Sequence, residues 1–170
     1  MTNTTRIEFA QKSDEEDLRE ILWGYGMDIA GQIEGHLVVK EGDSVVAGGK
    51  IIEYAEQCFF LEVIGVHQEM KNRGLGGLLL EKILLSPWKC CKETKMKSSV
   101  SGEAFLMTTV ARGETMDFYK KYGFRPCGFQ EIPMPYRDQC IDCPEREDCQ
   151  PVPMIFNGGQ GNEKSSNCVY

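Results

Sequence analysis

The 170-residue chain has no apolar run near the roughly 20 residues that a membrane-spanning helix needs. Its first residues, MTNTTRIEFAQ, also lack the hydrophobic segment of a secretory signal peptide. The net charge of −7 argues against the basic face that nucleic-acid binding requires. A negative net charge would suit a cationic partner, although a need for solubility explains this charge more simply. We therefore expect a soluble cytoplasmic protein that binds neither membranes nor nucleic acid.

Cysteine, by contrast, is abundant, with eight residues in the chain. In a reducing compartment, clustered cysteines indicate metal ligands or reactive thiols more than disulfides. Cys140, Cys143 and Cys149 form a C-x2-C-x5-C pattern, and a C-x2-C pair is a common half of a tetrahedral zinc site. The pattern assigns no fourth ligand. It leaves three alternatives: a structural Zn²⁺ on these cysteines, free thiols, or a redox dithiol of Cys140 and Cys143.

Hydrophobic periodicity predicts elements in the order β-α-β-β-β-α-β-α-β-loop-β. Residues 58–66, CFFLEVIGV, are nearly all apolar and indicate a central strand covered on both faces. A helix is predicted at 74–85, with Pro87 ending it. Hairpins in the first half and crossover helices in the second imply a mixed α/β (α+β) fold with helices on both faces of one sheet.

The domain organisation predicted from this order is simple. Residues 1–156 form a single domain that includes a cysteine-rich loop at 133–151. Residues 157–170, NGGQGNEKSSNCVY, are predicted to be a flexible tail.

Three glycines, Gly74, Gly76 and Gly77, stand where the helix at 74–85 begins. Glycine opposes helix formation by about 1 kcal/mol relative to alanine, but it lets a bulky anion approach the free amides of a helix N-terminus. The loop lacks the Gly-Lys-Ser/Thr of a P-loop, and GLGGLL lacks the last glycine of a dinucleotide fingerprint. By itself it is either a phosphate site or a plain turn.

Two segments together resemble the GNAT acetyltransferase superfamily. KNRGLG (71–76) fits the Q/R-x-x-G-x-G/A pyrophosphate loop except at Lys71, and FYKKYGF (118–124) is similar to the family's Φ-Tyr-x-Lys-x-Gly-Phe pattern. The resemblance extends over about residues 5–132 and implies a mostly antiparallel sheet of about six or seven strands. Arg112 and Thr115 depart from the residues that the family often has before and within the second pattern.

The resemblance implies transfer of an acetyl group from acetyl-CoA to a primary amine, carried by a small molecule or a peptide. A homodimer is one possible assembly. The implied cofactor contacts lie on the end of the fourth strand, the glycine loop and the following helix: Ile64, Gly65, Val66, Lys71, Asn72, Arg73, Gly74, Leu75, Gly76, Gly77 and Tyr119.

Tyr119 occupies the family's general-acid position, and packing is its alternative role. Glu62 is our candidate for the general base, because a charged residue in an apolar strand needs a reason; otherwise it faces solvent or pairs with a basic residue. His67 is expected to be a bystander. Two other functions stay open: an acyl-CoA-binding sensor without turnover, and a GNAT domain with a metal or redox cysteine site.

Overall fold

The computed structural model describes residues 4–92 and 104–159, which contain seven β-strands and five α-helices. None of the helices in these ranges is long and apolar enough to cross a bilayer. The chain divides into two compact units, one drawn from Met1–Ile52 and Glu62–Glu93 and the other from Glu53–Leu61 and Thr94–Tyr170.

The first unit is built on an antiparallel meander that packs against a helix. In chain order its elements are β1 (Thr5–Phe9), α1 (Glu15–Trp23), β2 (Leu37–Glu41), the larger part of β3 (Ser44–Ala55), the end of β4 (Cys58–Val66) and α2 (Leu75–Leu85). Strand β2 pairs antiparallel with both β1 and β3.

The core of the first unit forms against the apolar face of α1. Leu18, Ile21 and Leu22 are spaced three and four residues apart, so one side of the helix is apolar. All three are buried, and they cluster with Val38 and Val63 from the strands. Acidic residues fill the first turn of α1, where they complement the helix dipole, and the helix ends at Gly24.

The second unit contains the end of β3, the start of β4 and the chain from Thr94 onward. Its elements are β5 (Phe105–Ala111), α3 (Met116–Lys121), β6 (Arg125–Pro126), α4 (Tyr136–Ile141), α5 (Arg146–Cys149) and β7 (Val152–Gly158). Strand β5 runs parallel to β4 from Cys58 to Phe60 and antiparallel to β7, which also pairs antiparallel with β6. The aromatic ring of Phe156 packs against those of Phe105 and Phe124 in this unit.

Hydrogen bonding gives the strand order β1-β2-β3-β4-β5-β7-β6 in one seven-stranded sheet. Only β4 and β5 are parallel among the strand pairs resolved in the described residues. The predicted mixed, mostly antiparallel sheet is confirmed. Strand β4 spans the predicted residues 58–66, because a run that is apolar except for Glu62 and is bounded by polar residues fixes both of its ends.

Three local differences from the sequence-based expectations have physical reasons. Residues 124–133, FRPCGFQEIP, correspond to the strand predicted before the cysteine-rich loop. Only Arg125–Pro126 form a strand there, since prolines and a glycine interrupt the segment. The cysteine-rich segment 133–151, expected as a loop, holds the short helices α4 and α5. Strand β7 continues to Gly158, two residues into the expected tail, and residues 160–170 lie outside the described part of the chain.

Replacing Gly48 of β3 by alanine tests the packing of α1 on the sheet. A Cβ at this position would lie 2.4 Å from Cδ1 of the fully buried Leu18 and 3.0 Å from the Leu37 carbonyl oxygen. Because neither neighbour can move freely, we expect Gly48→Ala to lower the free energy of unfolding by about 1–3 kcal/mol. Urea denaturation measures the change, with the exposed Ser44→Ala as the control. A loss equal to that of the control would contradict the packing.

Candidate functional site

The candidate site begins where β4 ends. Burial alternates over its last residues, so that Ile64 and Val66 are half-buried while Gly65 is buried. A short 3-10 turn follows at Gln68–Met70. Nδ1 of His67 accepts a hydrogen bond from the Glu69 amide at 3.2 Å and caps this turn, which gives His67 a structural role.

The glycine loop delivers the backbone to the start of α2 in a conformation that favours glycine. Gly74 is the residue before the helix and has φ +78°, in the left-handed region. Its carbonyl accepts the first intrahelical bond, from the Leu78 amide at 2.9 Å. The amides of Leu75, Gly76 and Gly77 precede that bond, and Gly74 has no side chain to cap them. This end of α2 therefore combines backbone N–H donors that have no side-chain cap, little steric bulk and the positive end of a helix dipole. Such a combination suits an anion.

The two basic side chains of the loop are engaged with other protein groups. The Arg73 guanidinium binds both carboxylate oxygens of Glu41 on β2, at 2.8 and 3.3 Å. The Lys71 ammonium lies over the ring of Tyr25, 5.0 Å from its centroid. Since Glu41 offsets the charge of Arg73, the backbone amides are the main candidates for anion binding in this loop.

Glu62 on β4 is mostly buried and paired, rather than facing solvent. Its Oε1 lies 3.5 Å from Nζ of Lys50 on β3, and the two side chains are 11% and 2% exposed. The same ammonium donates to the Ala30 carbonyl at 2.7 Å. The arrangement ties the Glu62 carboxylate to the strand beside it and, through Lys50, to the segment that follows α1.

Tyr119 belongs to the second unit, on α3. The residue is 6% exposed, and its ring meets Phe118 and Phe124 edge-on at centroid distances of 5.1 and 5.4 Å. Burial raises the pKa of Tyr119 to about 12, while a hydrogen bond with Thr109 acts in the opposite direction. The phenol therefore keeps its proton at neutral pH, the state that a general acid requires. The ring contacts equally fit the alternative role of Tyr119 in packing.

The cysteine pattern is now placed on two short helices. Cys140 lies in α4, Cys149 ends α5, and Cys143 lies between them; all three are half-buried free thiols. Burial, followed by the nearby Cys149 and Cys143, raises the pKa of the Cys140 thiol. Within residues 4–92 and 104–159, no group of three or more His, Cys, Asp or Glu side chains is arranged to hold a metal ion. Of the three alternatives for these cysteines, the geometry thus gives no support to the structural Zn²⁺.

Sequence reasoning missed three residues that the structure places around the candidates: Tyr25, Lys50 and Thr109. Lys50 is a charged residue in a mostly apolar strand, VVAGGKIIEYA, so the signal that singled out Glu62 was available for it. Tyr25 and Thr109 carry no such signal, because their contacts with Val66 and Tyr119 join positions distant in sequence.

Comparison with known proteins identifies the family. A family model described as an acetyltransferase (GNAT) domain matches residues 32–126, more than half of the chain. The chain therefore belongs to the GNAT acetyltransferase family, and the resemblance read from the sequence is confirmed. A curated relative, an uncharacterised N-acetyltransferase of Chlorobaculum tepidum, is 23% identical over 128 residues, which cover 75% of this chain and 74% of the relative.

Solved structures show the same fold. N-acetylglutamate synthase from Neisseria gonorrhoeae, in complex with coenzyme A and N-acetyl-glutamate, matches with a TM-score of 0.67 and 13% identity over 92% of this chain. The match covers 36% of the synthase chain, so this protein spans about a third of its length. The ribosomal-protein-S18-alanine N-acetyltransferase of Escherichia coli matches with a TM-score of 0.62 and 12% identity, covering 98% of this chain and 100% of that one.

Alkaline titration tests the environment of Tyr119. Because its pKa is raised from 10.0 to about 12 in the folded protein, the unfolded chain loses this proton first. The free energy of unfolding should therefore fall more steeply between these pH values in the wild type than in Tyr119→Phe. Ultraviolet absorbance should also show one tyrosine fewer ionising near pH 12 in the variant. An unchanged titration at that pH would show that Tyr119 is solvated.

Proposed function

We propose that this protein transfers an acetyl group from acetyl-CoA to a primary amine by direct attack within a ternary complex. The observation that carries the proposal is the start of α2, where the first three amides have no side-chain cap and two of them belong to glycines. Family membership makes the pyrophosphate of coenzyme A the fitting anion. The preceding residues Ile64, Gly65 and Val66 are the proposed track for the pantetheine arm.

The proposed chemistry needs three proton transfers. Glu62 takes a proton from the ammonium form of the acceptor, and the neutral amine attacks the thioester carbonyl. A C–N bond forms, the C–S bond breaks, and the leaving thiolate of CoA takes the phenolic proton of Tyr119. The acylated nitrogen then gives its remaining extra proton to the Tyr119 phenolate, which restores the phenol and leaves a neutral amide. The buried, protonated phenol and the anchored carboxylate support these roles. The products are an N-acetyl amide and free CoA.

The acceptor is proposed only by class, as a small-molecule or peptide amine. The synthase and the ribosomal-protein acetyltransferase that share the fold act on different kinds of amine, as their names state. Fold alone therefore does not select between these classes. A screen for CoA release with polyamines, aminoglycosides, amino acids and peptide N-termini would identify the class, and binding without any turnover would favour the sensor alternative.

A charge placed at Gly76 tests the cofactor site. The carboxylate of Gly76→Glu would stand among the α2 amides and repel the pyrophosphate, so we expect acetyl-CoA affinity to fall by at least about 100-fold, or about 2.7 kcal/mol. Gly76→Gln is the matched control, since it has the same bulk without the charge. Both changes remove a glycine from a helix, which favours the folded state. Calorimetric affinity equal to the wild type in the glutamate variant would overturn the assignment.

Turnover of two variants tests the proton transfers. Tyr119→Phe and Glu62→Gln should each lower kcat by about 10²-fold or more, because general acid or base catalysis contributes about 10²–10⁴. Acetyl-CoA affinity should stay near that of the wild type. Tyr122→Phe is the control, since Tyr122 lies beside Phe118 on the same turn of chain but has no proposed proton role. Unchanged kcat in either test variant removes that residue from the mechanism.

A further inference from the structure

Tyr25 makes two side-chain contacts with the candidate cofactor site, and its backbone is anchored to the end of α1. It lies just beyond α1, where its amide donates to the Leu22 carbonyl at 2.9 Å and fixes the turn. Its hydroxyl donates to the Val66 carbonyl at 2.7 Å. Its ring lies under the Lys71 ammonium at 5.0 Å. One side chain therefore touches the last residue of β4 and the first residue of the glycine loop.

The ring of Tyr25 also explains why residue 65 is a glycine. A Cβ on Gly65 would lie 3.1 Å from both Cδ2 and Cε2 of the Tyr25 ring. The ring thus covers the position that a side chain would occupy on this face of the strand. A larger residue at position 65 would push the ring away and break its contacts with Val66 and Lys71.

The peptide group between Val66 and His67 is held from both sides. Its carbonyl accepts from the Tyr25 hydroxyl, and its N–H donates to the Val46 carbonyl at 2.8 Å. A peptide plane fixed at both polar atoms cannot rotate about the chain axis without losing a hydrogen bond. The chain direction on entering the glycine loop is set at this peptide.

We propose that Tyr25 is a positioning residue for acetyl-CoA. It orients the Val66–His67 peptide at the pantetheine end of the site and retains the Lys71 ammonium at the pyrophosphate end. The inference rests on the proposed function. It also gives Lys71, which departs from the family pattern, a defined role: its charge is held near the loop by a cation–π contact that arginine would also make.

A substitution that removes a single atom tests the hydroxyl. Tyr25→Phe keeps the ring over Gly65 and under Lys71 but loses the bond to Val66. We expect acetyl-CoA Kd and KM to rise about 3- to 10-fold, with kcat at saturating acetyl-CoA unchanged, as is usual for the loss of one hydrogen bond. Tyr122→Phe is the matched control and should change neither constant.

Lys71 provides a second, independent test on the surface of the loop. Lys71→Met should weaken acetyl-CoA binding to a similar extent. Lys71→Arg should keep the wild-type affinity, because a guanidinium also stacks on a tyrosine ring. Calorimetry gives both affinities. Weakened acetyl-CoA binding by Lys71→Arg would overturn the role of the cation–π contact.

The structural alternative gives a different pattern. If Tyr25 only braces the segment after α1, Tyr25→Phe will lower the Tm and leave Kd and KM unchanged, and the proposal is then wrong. A fall in kcat at constant KM would also overturn it. These outcomes are distinct from failure of the proposed function, because Gly76→Glu would still abolish binding if Tyr25 alone were misassigned.

Discussion

The structure depends on one constraint at the junction of β4 and α2: the first amides of the helix must stay uncapped and still be held in place. Gly74 satisfies the first part, since its left-handed backbone and missing side chain leave the amides of Leu75, Gly76 and Gly77 without a side-chain cap. The clamped Val66–His67 peptide satisfies the second part. A ligand anion can then meet donors that need no rearrangement, which is the basis of preorganised binding.

The charges around this junction are arranged to support the backbone. Glu41 neutralises Arg73, and Tyr25 holds Lys71 by its ring. The nearly buried ammonium of Lys50 on β3 pairs with Glu62 on β4 and donates to the Ala30 carbonyl. In the proposed function, oriented dipoles thereby let a chain with a net charge of −7 bind an anionic cofactor locally.

Sequence alone predicted the elements whose signals are local. Strand β4 and helix α2 were placed within one residue because an apolar run, a glycine cluster and Pro87 mark their ends. Helices α4 and α5 were missed, since short helices rich in polar residues lack a periodic apolar face. Of the candidate site, the loop and the two proton-transfer candidates came from patterns. Tyr25 and Lys50 became visible only through tertiary contacts.

The most direct test compares acetyl-CoA with acetyl-pantetheine, which has the same thioester arm but lacks the pyrophosphate. If the amides at the start of α2 bind that group, calorimetry should show acetyl-CoA binding at least about 100-fold more tightly, since charge-assisted hydrogen bonds contribute about 1.5–3 kcal/mol each. Gly76→Glu should remove most of this difference. Equal affinity of the wild-type protein for the two compounds would contradict the account.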